Sequence, residues 1–271
     1  MIVGENTKYL AMLDRAFDFE KKAFTYARKV ETQYAVALRS IARHIADIVK
    51  YYHDETTVGA AYVRNALERY AEALDPWAKS VARKMIAETA ARDRVQWARV
   101  SHSMRRNLLA EIDRAPIADR FNELMNDQVV LIKSLPLEAA QDVHDMVTAA
   151  ITSGARPSTM VENISEKLRN TEGFAGQIEE KVKSRANLIA RTESTRAATT
   201  ILQARAEHIG SDEYIWRTAH DADVRPDHRI LDGHSFKWND PPIADRRTGA
   251  TANPGCIYNC RCWAEPIISD E

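Results

Sequence analysis

Apolar side chains recur at helical spacing through the first half of the chain. The clearest series runs through Leu10, Leu13, Phe17, Phe24, Leu38, Ile41, Ile45 and Ile48. Steps of this size place the side chains on one face of a helix. The pattern predicts a long first helix over residues 7–51, which would span on the order of 65 Å at ~1.5 Å per residue. It predicts roughly five or six helices before Ser153.

Proline and glycine punctuate this helical pattern. Pro76, Pro116 and Pro136 each suit the start of a helix better than its interior, because proline has no N–H to donate. The run G-A-R-P-S at residues 154–158 predicts a domain boundary. We therefore expect a helical N-terminal domain at residues 1–153 and a second domain at residues 154–271.

The second domain is predicted to begin with helices and to end in short strands. Ser158 or Thr159 can cap its first helix. The expected order is a helix at 160–169, a loop at 170–176, a helix at 177–209 ended by Gly210, and strands at 214–218 and 235–238. The expected fold class is mainly α, with long N-terminal helices in an extended bundle and a small α+β C-terminal domain.

Opposite charges nearly balance over the whole chain. Its 38 Lys and Arg against 39 Asp and Glu give a formal net charge of −1, so no overall field attracts nucleic acid or anionic lipid. No apolar run approaches the ~20 residues of a membrane span. The first residues lack the basic start and apolar run of a secretory signal. We expect folding in a reducing cytoplasm, where the three cysteines serve as thiols or metal ligands.

All three cysteines lie close together near the end of the chain. Cys256, Cys260 and Cys262 form a C-x-x-x-C-x-C pattern, and His228 is the best fourth ligand for a tetrahedral zinc site. The alternative is a metal-free fold in which cysteines are small buried apolar residues. The metal-free interpretation is preferred, because the spacing is not the familiar pair of C-x-x-C motifs. Both interpretations stay open from the sequence.

A second polar cluster precedes the cysteines. Asp221, Asp223, Arg225 and His228 are followed by Gly233. Carboxylates that hold a divalent ion beside a histidine that activates water would make a metal-dependent nuclease. The alternative is a turn-rich loop in which the aspartates cap backbone amides. We favour the loop, because no second acidic motif upstream completes an ion-binding set.

The second long predicted helix carries an unusual polar face. Glu193 and Arg196 are three residues apart and can pair, and Arg191 lies beside them. The hydroxyl side chains of this helix are those of Thr192, Ser194, Thr195, Thr199 and Thr200. We expect this face to pack against residues 221–233, which we call the Asp-rich loop, and to hold them in place.

A basic stretch lies in the first half of the chain. Its candidate DNA-binding residues are Arg92, Arg94, Trp97, Arg99, Arg105 and Arg106. Basic side chains around an aromatic ring can bind a nucleic-acid backbone and stack on bases. The alternative, which we favour because the whole chain is nearly neutral, is a solvated helix face balanced by acidic neighbours.

Three motifs occur in an order that resembles a known family. They read I-A-R-T-E-S-T-R-A-A from Ile189, Y-I-W-R-T-A-H-D-A-D-V-R-P-D-H-R-I-L-D-G-H from Tyr214, and P-G-C-I-Y-N-C-R-C from Pro254. Together they resemble the phage Mu gpF-like minor head proteins, also called phage head morphogenesis proteins, over residues 154–268. The positions that match the motifs are Arg191, Thr192, Glu193, Asp221, Arg225, His228, Gly233, Cys260 and Cys262. We know of no catalytic role for these positions and treat them as fold-defining.

The resemblance implies a function as well as a fold. It implies a non-enzymatic minor capsid protein of a tailed bacteriophage, present in few copies and acting in procapsid assembly at or near the portal vertex. Its implied partners are the portal protein, capsid or scaffold proteins and packaged double-stranded DNA, with no membrane. Its implied location is the capsid interior or portal vertex of the virion, and the host cytoplasm during assembly. The rival hypothesis is the metal-dependent nuclease built on Asp221, Asp223 and His228.

Overall fold

The computed structural model describes residues 6–53, 57–104, 107–152 and 171–268. Side chains are described from Arg28 onward, apart from Ser103, Ala150, Thr171 and Glu172. The helix predicted over residues 160–169, its caps and the domain boundary at residues 153–154 lie outside these ranges.

Helices make up most of the described chain. They are α1 (Asn6–Tyr52), α2 (Thr57–Ala73), α3 (Asp75–Met104), α4 (Leu108–Ile112), α5 (Ala118–Thr152), α6 (Thr171–His208) and α7 (Pro226–Leu231). The predicted mainly α fold class is confirmed, and so is the long first helix. Within these ranges no helix is both long enough and apolar enough to cross a bilayer.

Two helix predictions were wrong at particular positions. Helix α6 begins at Thr171, so residues 171–176 are helical where a loop was predicted. Burial of Phe174 and Ala175 along this turn stabilises the helix despite the neighbouring glycines. Pro136 lies inside α5 rather than at a helix start. Buried Ile132 and Leu135 just before it, with buried Ala139 and Ala140 just after it, continue the apolar face through the proline.

The other prolines and the glycine cap behave as predicted. Pro76 lies in the first turn of α3, and Pro116 precedes the start of α5 by two residues. After α6, Gly210 has a φ of +82° and donates its N–H to the Glu207 carbonyl at 3.1 Å, while Ser211 donates to the Ala206 carbonyl at 2.9 Å. This pair of hydrogen bonds ends the helix and turns the chain into the first strand.

Short antiparallel strands follow α6. Strands β1 (Glu213–Arg217), β2 (Ser235–Lys237) and β5 (Trp263–Pro266) form a sheet in the order β2-β1-β5. Strands β3 (Ile243–Asp245) and β4 (Ala250–Thr251) form a separate hairpin. The two predicted strands are confirmed to within one residue at each end. The small α+β region of the fold class is therefore present.

The described chain divides into two compact units made of interleaved segments. Unit 1 comprises the described parts of Met1–Gln33, Met85–Glu123 and Arg191–Glu271. Its core contains the large side chains Trp97, Tyr214, Trp216 and Trp238 together with Cys260 and Cys262.

Unit 2 is made of helices alone. It comprises Tyr34–Lys84 and the described parts of Leu124–Ala190. Its core contains fully buried aliphatic side chains, among them Leu38, Ile41, Ile45, Leu67, Ile132 and Leu135. A buried hydrogen bond of 2.8 Å from the Tyr34 hydroxyl to Gln128 Oε1 joins α1 to α5 within this unit.

Candidate metal centre

Three soft donor side chains meet in the core of unit 1. His228 lies on α7, and Cys260 and Cys262 lie on the segment that leads into β5. The His228 Nδ1 atom is 3.5 Å from Cys260 Sγ and 3.4 Å from Cys262 Sγ. All three residues are at most 3% exposed. We call these three residues the His–Cys–Cys cluster.

The imidazole of His228 is held in one orientation. Its Nε2 atom lies 3.1 Å from the carbonyl oxygen of Ala244 on β3. A carbonyl can only accept, so in the neutral ring Nε2 carries the proton and Nδ1 keeps its lone pair. The indole of Trp216 stands edge-on to the ring at a centroid distance of 5.3 Å. The free lone pair of His228 therefore faces both sulfur atoms.

The two cysteines of the cluster differ in acidity. The hydrogen bond from the Cys262 thiol lowers the pKa of Cys260 well below its usual value, and His228 adds to this effect. The same hydrogen bond and burial raise the pKa of Cys262. Thiolate and imidazole are the donor types that zinc prefers.

Cys256 stands apart from the other two cysteines. Within the described residues, the group of potential ligands whose donor atoms all lie within 4.8 Å of one another is His228, Cys260 and Cys262. The predicted four-ligand set is thus only partly assembled. Burial raises the pKa of the Cys256 thiol to about 12, which keeps it protonated at neutral pH.

The predicted nuclease constellation does not come together. Asp221 accepts a hydrogen bond of 3.1 Å from the Asp223 backbone N–H, which is an Asx turn. The Asp223 side chain is 85% exposed, whereas His228 is buried. Neither aspartate belongs to the cluster of close ligand atoms in the described ranges. The turn-rich loop is the interpretation that the geometry supports.

The Asp-rich loop is tied to the segment that carries the cysteines. We call residues 254–262 the cysteine loop. Arg225 donates from Nη2 to the carbonyl oxygen of Tyr258 in this loop at 2.7 Å. An Arg261 Nη1 atom lies 3.8 Å from an Asp223 carboxylate oxygen. Arg225 and Asp223 therefore act as structural connections.

Asp232 and Gly233 close the Asp-rich loop against the sheet. Asp232 accepts a 2.8 Å hydrogen bond from the Thr218 N–H through Oδ1. Gly233 has a φ of +79° and donates its N–H to the Trp216 carbonyl at 2.8 Å. Sequence reasoning singled out Gly233 but missed Asp232. The D-G pair at the end of a short helix was the available signal, since this dipeptide commonly forms turns.

The polar face of α6 holds the cysteine loop, and its predicted packing against the Asp-rich loop stays a prediction. Thr199 donates its hydroxyl to the Pro254 carbonyl at 2.6 Å, and Thr192 Oγ1 accepts from the Asn259 N–H at 3.0 Å. Arg191 donates to Asn259 Oδ1 at 2.9 Å. These bonds attach the loop to α6 at its first residue and near its middle. The Arg-Thr-Glu motif thereby positions the cysteines.

The remaining charged residues of this helix face are also paired. The predicted Glu193–Arg196 pair is present, with Nη1 and Oε2 3.3 Å apart. Glu31 on α1 accepts from Arg191 Nε at 3.4 Å and lies 3.8 Å from Arg261. These pairs connect α1, α6 and the cysteine loop within unit 1.

Gly255 lets the cysteine loop approach α6 closely. It has a φ of +81°, and an added Cβ would lie 2.6 Å from the Thr195 Cγ2 atom. The same Cβ would lie 3.0 Å from the Cys262 carbonyl oxygen and from Thr199 Oγ1. Only glycine fits this conformation and this gap.

The basic stretch does not form the predicted aromatic and basic surface. Trp97 is only 2% exposed and belongs to the core of unit 1, so it cannot stack on bases. Arg94 makes a bidentate pair with Asp113, at 2.8 and 2.7 Å. Arg92 and Arg99 are half-buried. Arg105 and Arg106 lie outside the described residues.

Comparison with known proteins gives a family for this region. The family model described as Phage Mu protein F like protein matches residues 141–265, from the second half of α5 to β5. The match contains the Arg-Thr-Glu face of α6, the Asp-rich loop and the His–Cys–Cys cluster. It confirms the resemblance predicted from the sequence for this region, which is just under half of the chain.

One relative extends the comparison. An uncharacterized protein of Haemophilus influenzae (strain Rd) is 30% identical over 165 residues, which is 60% of this chain. The aligned region is 33% of the relative, so the chain spans about a third of that protein's length. No solved structure matches the chain.

Proposed function

We propose that this protein is a minor head protein of a tailed bacteriophage or prophage, acting in procapsid assembly at the portal vertex. The observation that carries the proposal is the family match over residues 141–265. The motif residues inside that match form one connected structure, through Thr199, Arg225 and Gly255, rather than a catalytic site. A rigid region of this kind suits a structural component of a virus particle.

The environment of His228 supports a structural role over a nuclease role. A general base needs an accessible nitrogen beside a water molecule. His228 is 2% exposed, and its two ring nitrogens face Ala244 and the two sulfurs. Incubation of the protein with plasmid DNA and Mg²⁺ or Mn²⁺ should therefore give no cleavage. Cleavage that His228→Ala abolishes would favour the nuclease.

The long helices are the proposed surfaces for the portal and for capsid or scaffold proteins. In unit 2 several large apolar side chains remain exposed on them, with Val36 at 56%, Tyr62 at 57% and Val130 at 68%. Exposed apolar side chains on helices are typical contacts for partner proteins.

Packaged DNA is a further proposed partner, which the chain would contact through electrostatic attraction between arginines and phosphates alone. With Trp97 buried, contact would depend on Arg92, Arg94, Arg99, Arg105 and Arg106. Binding that depends on phosphate contacts weakens with added salt and with loss of basic side chains. Replacing these five arginines by glutamine should lower the affinity for double-stranded DNA at low salt. An unchanged affinity would remove DNA from the list of partners.

The portal proposal is tested by making particles without the portal. Procapsid-like particles are purified from the source phage and from a mutant that lacks the portal gene. Quantitative mass spectrometry measures this chain relative to the major capsid protein in both. We expect at least a tenfold loss from the portal-free particles, because recruitment would depend on the portal.

A matched control separates portal dependence from general assembly defects. A mutant blocked in DNA packaging, with its portal intact, should retain the chain at the wild-type level. Equal incorporation with and without the portal would contradict location at the portal vertex. It would place the recruiting contact on the capsid shell or scaffold.

A further inference from the structure

We infer that His228, Cys260 and Cys262 form a zinc site with three protein ligands, which cross-links α7 to the segment entering β5, and that Cys256 is not a ligand. The inference concerns the folded chain itself. It does not depend on the proposed role in the phage head.

The distances between donor atoms fit a tetrahedral zinc ion. With Zn–S of roughly 2.3 Å and Zn–N of roughly 2.0 Å, a tetrahedral sulfur–nitrogen pair is about 3.5 Å apart. The observed distances from His228 Nδ1 are 3.5 Å to Cys260 Sγ and 3.4 Å to Cys262 Sγ. The two sulfur atoms lie within 4.8 Å of each other, so all three donor atoms are close enough to reach one ion.

The surroundings of the imidazole are those of a metal ligand. A metal-bound histidine usually donates its other ring N–H to a carbonyl or carboxylate, which fixes the ring and its tautomer. The Ala244 carbonyl accepts from Nε2 at 3.1 Å and so supplies this contact. The lone pair of Nδ1 then lies between the two sulfurs.

Charge balance favours the ion in this buried position. The ligands are 2–3% exposed, where an uncompensated charge would be costly. Zn²⁺ with two thiolates and a neutral imidazole has no net charge. Binding displaces the remaining thiol proton or protons into solvent.

A bound ion would connect parts of unit 1 that are far apart in sequence. His228 and Cys260 are 32 residues apart in sequence, and both lie among the buried side chains around Trp216. A zinc ion there would connect the Asp-rich loop, the cysteine loop and the sheet at one point. Three protein ligands leave one tetrahedral position for a water molecule.

The first test is the metal content of the purified full-length chain. The protein is expressed with zinc in the medium, dialysed against buffer that contains no chelator, and measured by plasma mass spectrometry. We expect about one zinc per chain in the wild type and in Cys256→Ser. We expect less than about a tenth of this in Cys260→Ser and Cys262→Ser, because each removes one of three ligands.

Cobalt substitution reports the ligands directly. The wild type and Cys256→Ser should show the same visible bands of tetrahedral cobalt and the same thiolate-to-metal charge-transfer absorption. Loss of metal from Cys256→Ser to the extent seen in Cys260→Ser would overturn the three-ligand assignment. A wild type that binds neither zinc nor cobalt would overturn the site.

Thermal unfolding of the wild type keeps the test informative if the cluster variants fail to fold. Adding a strong chelator to the zinc-loaded protein should lower Tm by at least about 10 °C, and zinc should restore it. A Tm that chelator leaves unchanged while the metal is shown to be removed would contradict the proposed cross-linking role.

Discussion

Gly255 is the residue at which the cysteine loop and α6 come closest. Its positive φ acts together with the lack of space beside it, since an added Cβ would lie 2.6 Å from Thr195 Cγ2. Gly249, in the β3–β4 turn, has a similar φ of +73° but open space around it. Comparing substitutions at the two glycines therefore distinguishes the free-energy cost of backbone strain from that of a steric clash.

Substitution of these glycines by alanine should have unequal effects. Gly249→Ala should cost about 1 kcal/mol in the free energy of unfolding, from the left-handed conformation alone. Gly255→Ala should cost at least about 3 kcal/mol, because its Cβ also forces the loop away from α6. Chemical denaturation of both variants measures the difference. Equal losses would mean that the loop can shift without cost.

Asp93 and Arg205 form a buried ion pair in unit 1. Arg205 Nη1 lies 2.5 Å from Asp93 Oδ2 and also donates to the Ala90 carbonyl at 3.1 Å. Burial raises the pKa of Asp93 from 3.8 to about 6, against the opposing effect of the Arg205 charge. The folded chain therefore holds this proton more tightly than the unfolded chain does.

This pKa sets the sign of a pH effect on stability. Protonated Asp93 stabilises the folded chain relative to the unfolded chain. This stabilisation is complete below pH 3.8, the pKa in the unfolded chain, and is lost as the pH rises through about 6, the pKa in the folded chain. Asp93→Asn cannot titrate. Between about pH 7.5 and 4.5, the wild type should gain about 2 kcal/mol of stability relative to this variant. Denaturation curves at both pH values test this, and a relative loss for the wild type would show that the Arg205 charge outweighs burial.

At the scale of elements, α6 organises unit 1. Its hydroxyl face accepts from and donates to the cysteine loop, through Thr192 and Thr199. Because the loop carries two of the three cluster residues, the position of the helix determines the position of the sulfurs. The bond from Thr199 to Pro254 is the most buried of these contacts.

Replacing Thr199 by valine tests this connection. Thr199→Val should cost about 1–3 kcal/mol, because the Pro254 carbonyl loses its donor in a buried position. The matched control is Thr32→Val, since the Thr32 hydroxyl donates to Arg28 within its own helix at 2.8 Å and is exposed. The control should change stability by less than about 0.5 kcal/mol. A Thr199→Val variant as stable as the control would show that the loop is held by other contacts.

The sequence predicted the elements better than their contacts. Helical spacing of apolar residues located α1, and alternation with turn residues located β1 and β2, because these patterns are local. Pro136 was misassigned because burial on both sides of a residue overrides its local preference, and burial depends on the whole fold.

The candidate site was only partly predictable for the same reason. The residue types of His228, Cys260 and Cys262 were suggestive, but their spacing does not show that Cys256 lies outside the group of close donor atoms. The partner of the α6 hydroxyl face also depended on which loop packs there. Trp97 is an example of a misleading residue type. Its position among arginines suggested stacking on bases, but it is a core residue. Spacing along the chain does not encode these contacts.

At the scale of the whole molecule, the family match and the connected structure of residues 191–262 point to one account. In the proposed account the chain is a structural protein of the phage head, whose C-terminal motifs build a stable region and whose helices contact partners. A nuclease built on Asp221, Asp223 and His228 would need these side chains to be accessible and close together. His228 and Cys260 are buried, and Asp221 makes an Asx turn.

The measurement that tests this account most directly is the absolute copy number of the chain in purified particles. Labelled peptide standards for this chain, the portal protein and the major capsid protein are added to procapsids and filled heads of the source phage. The account predicts a few copies of this chain per particle, below the number of portal subunits or comparable with it. Absence from both particles, or copies in the hundreds like a shell or scaffold protein, would contradict it.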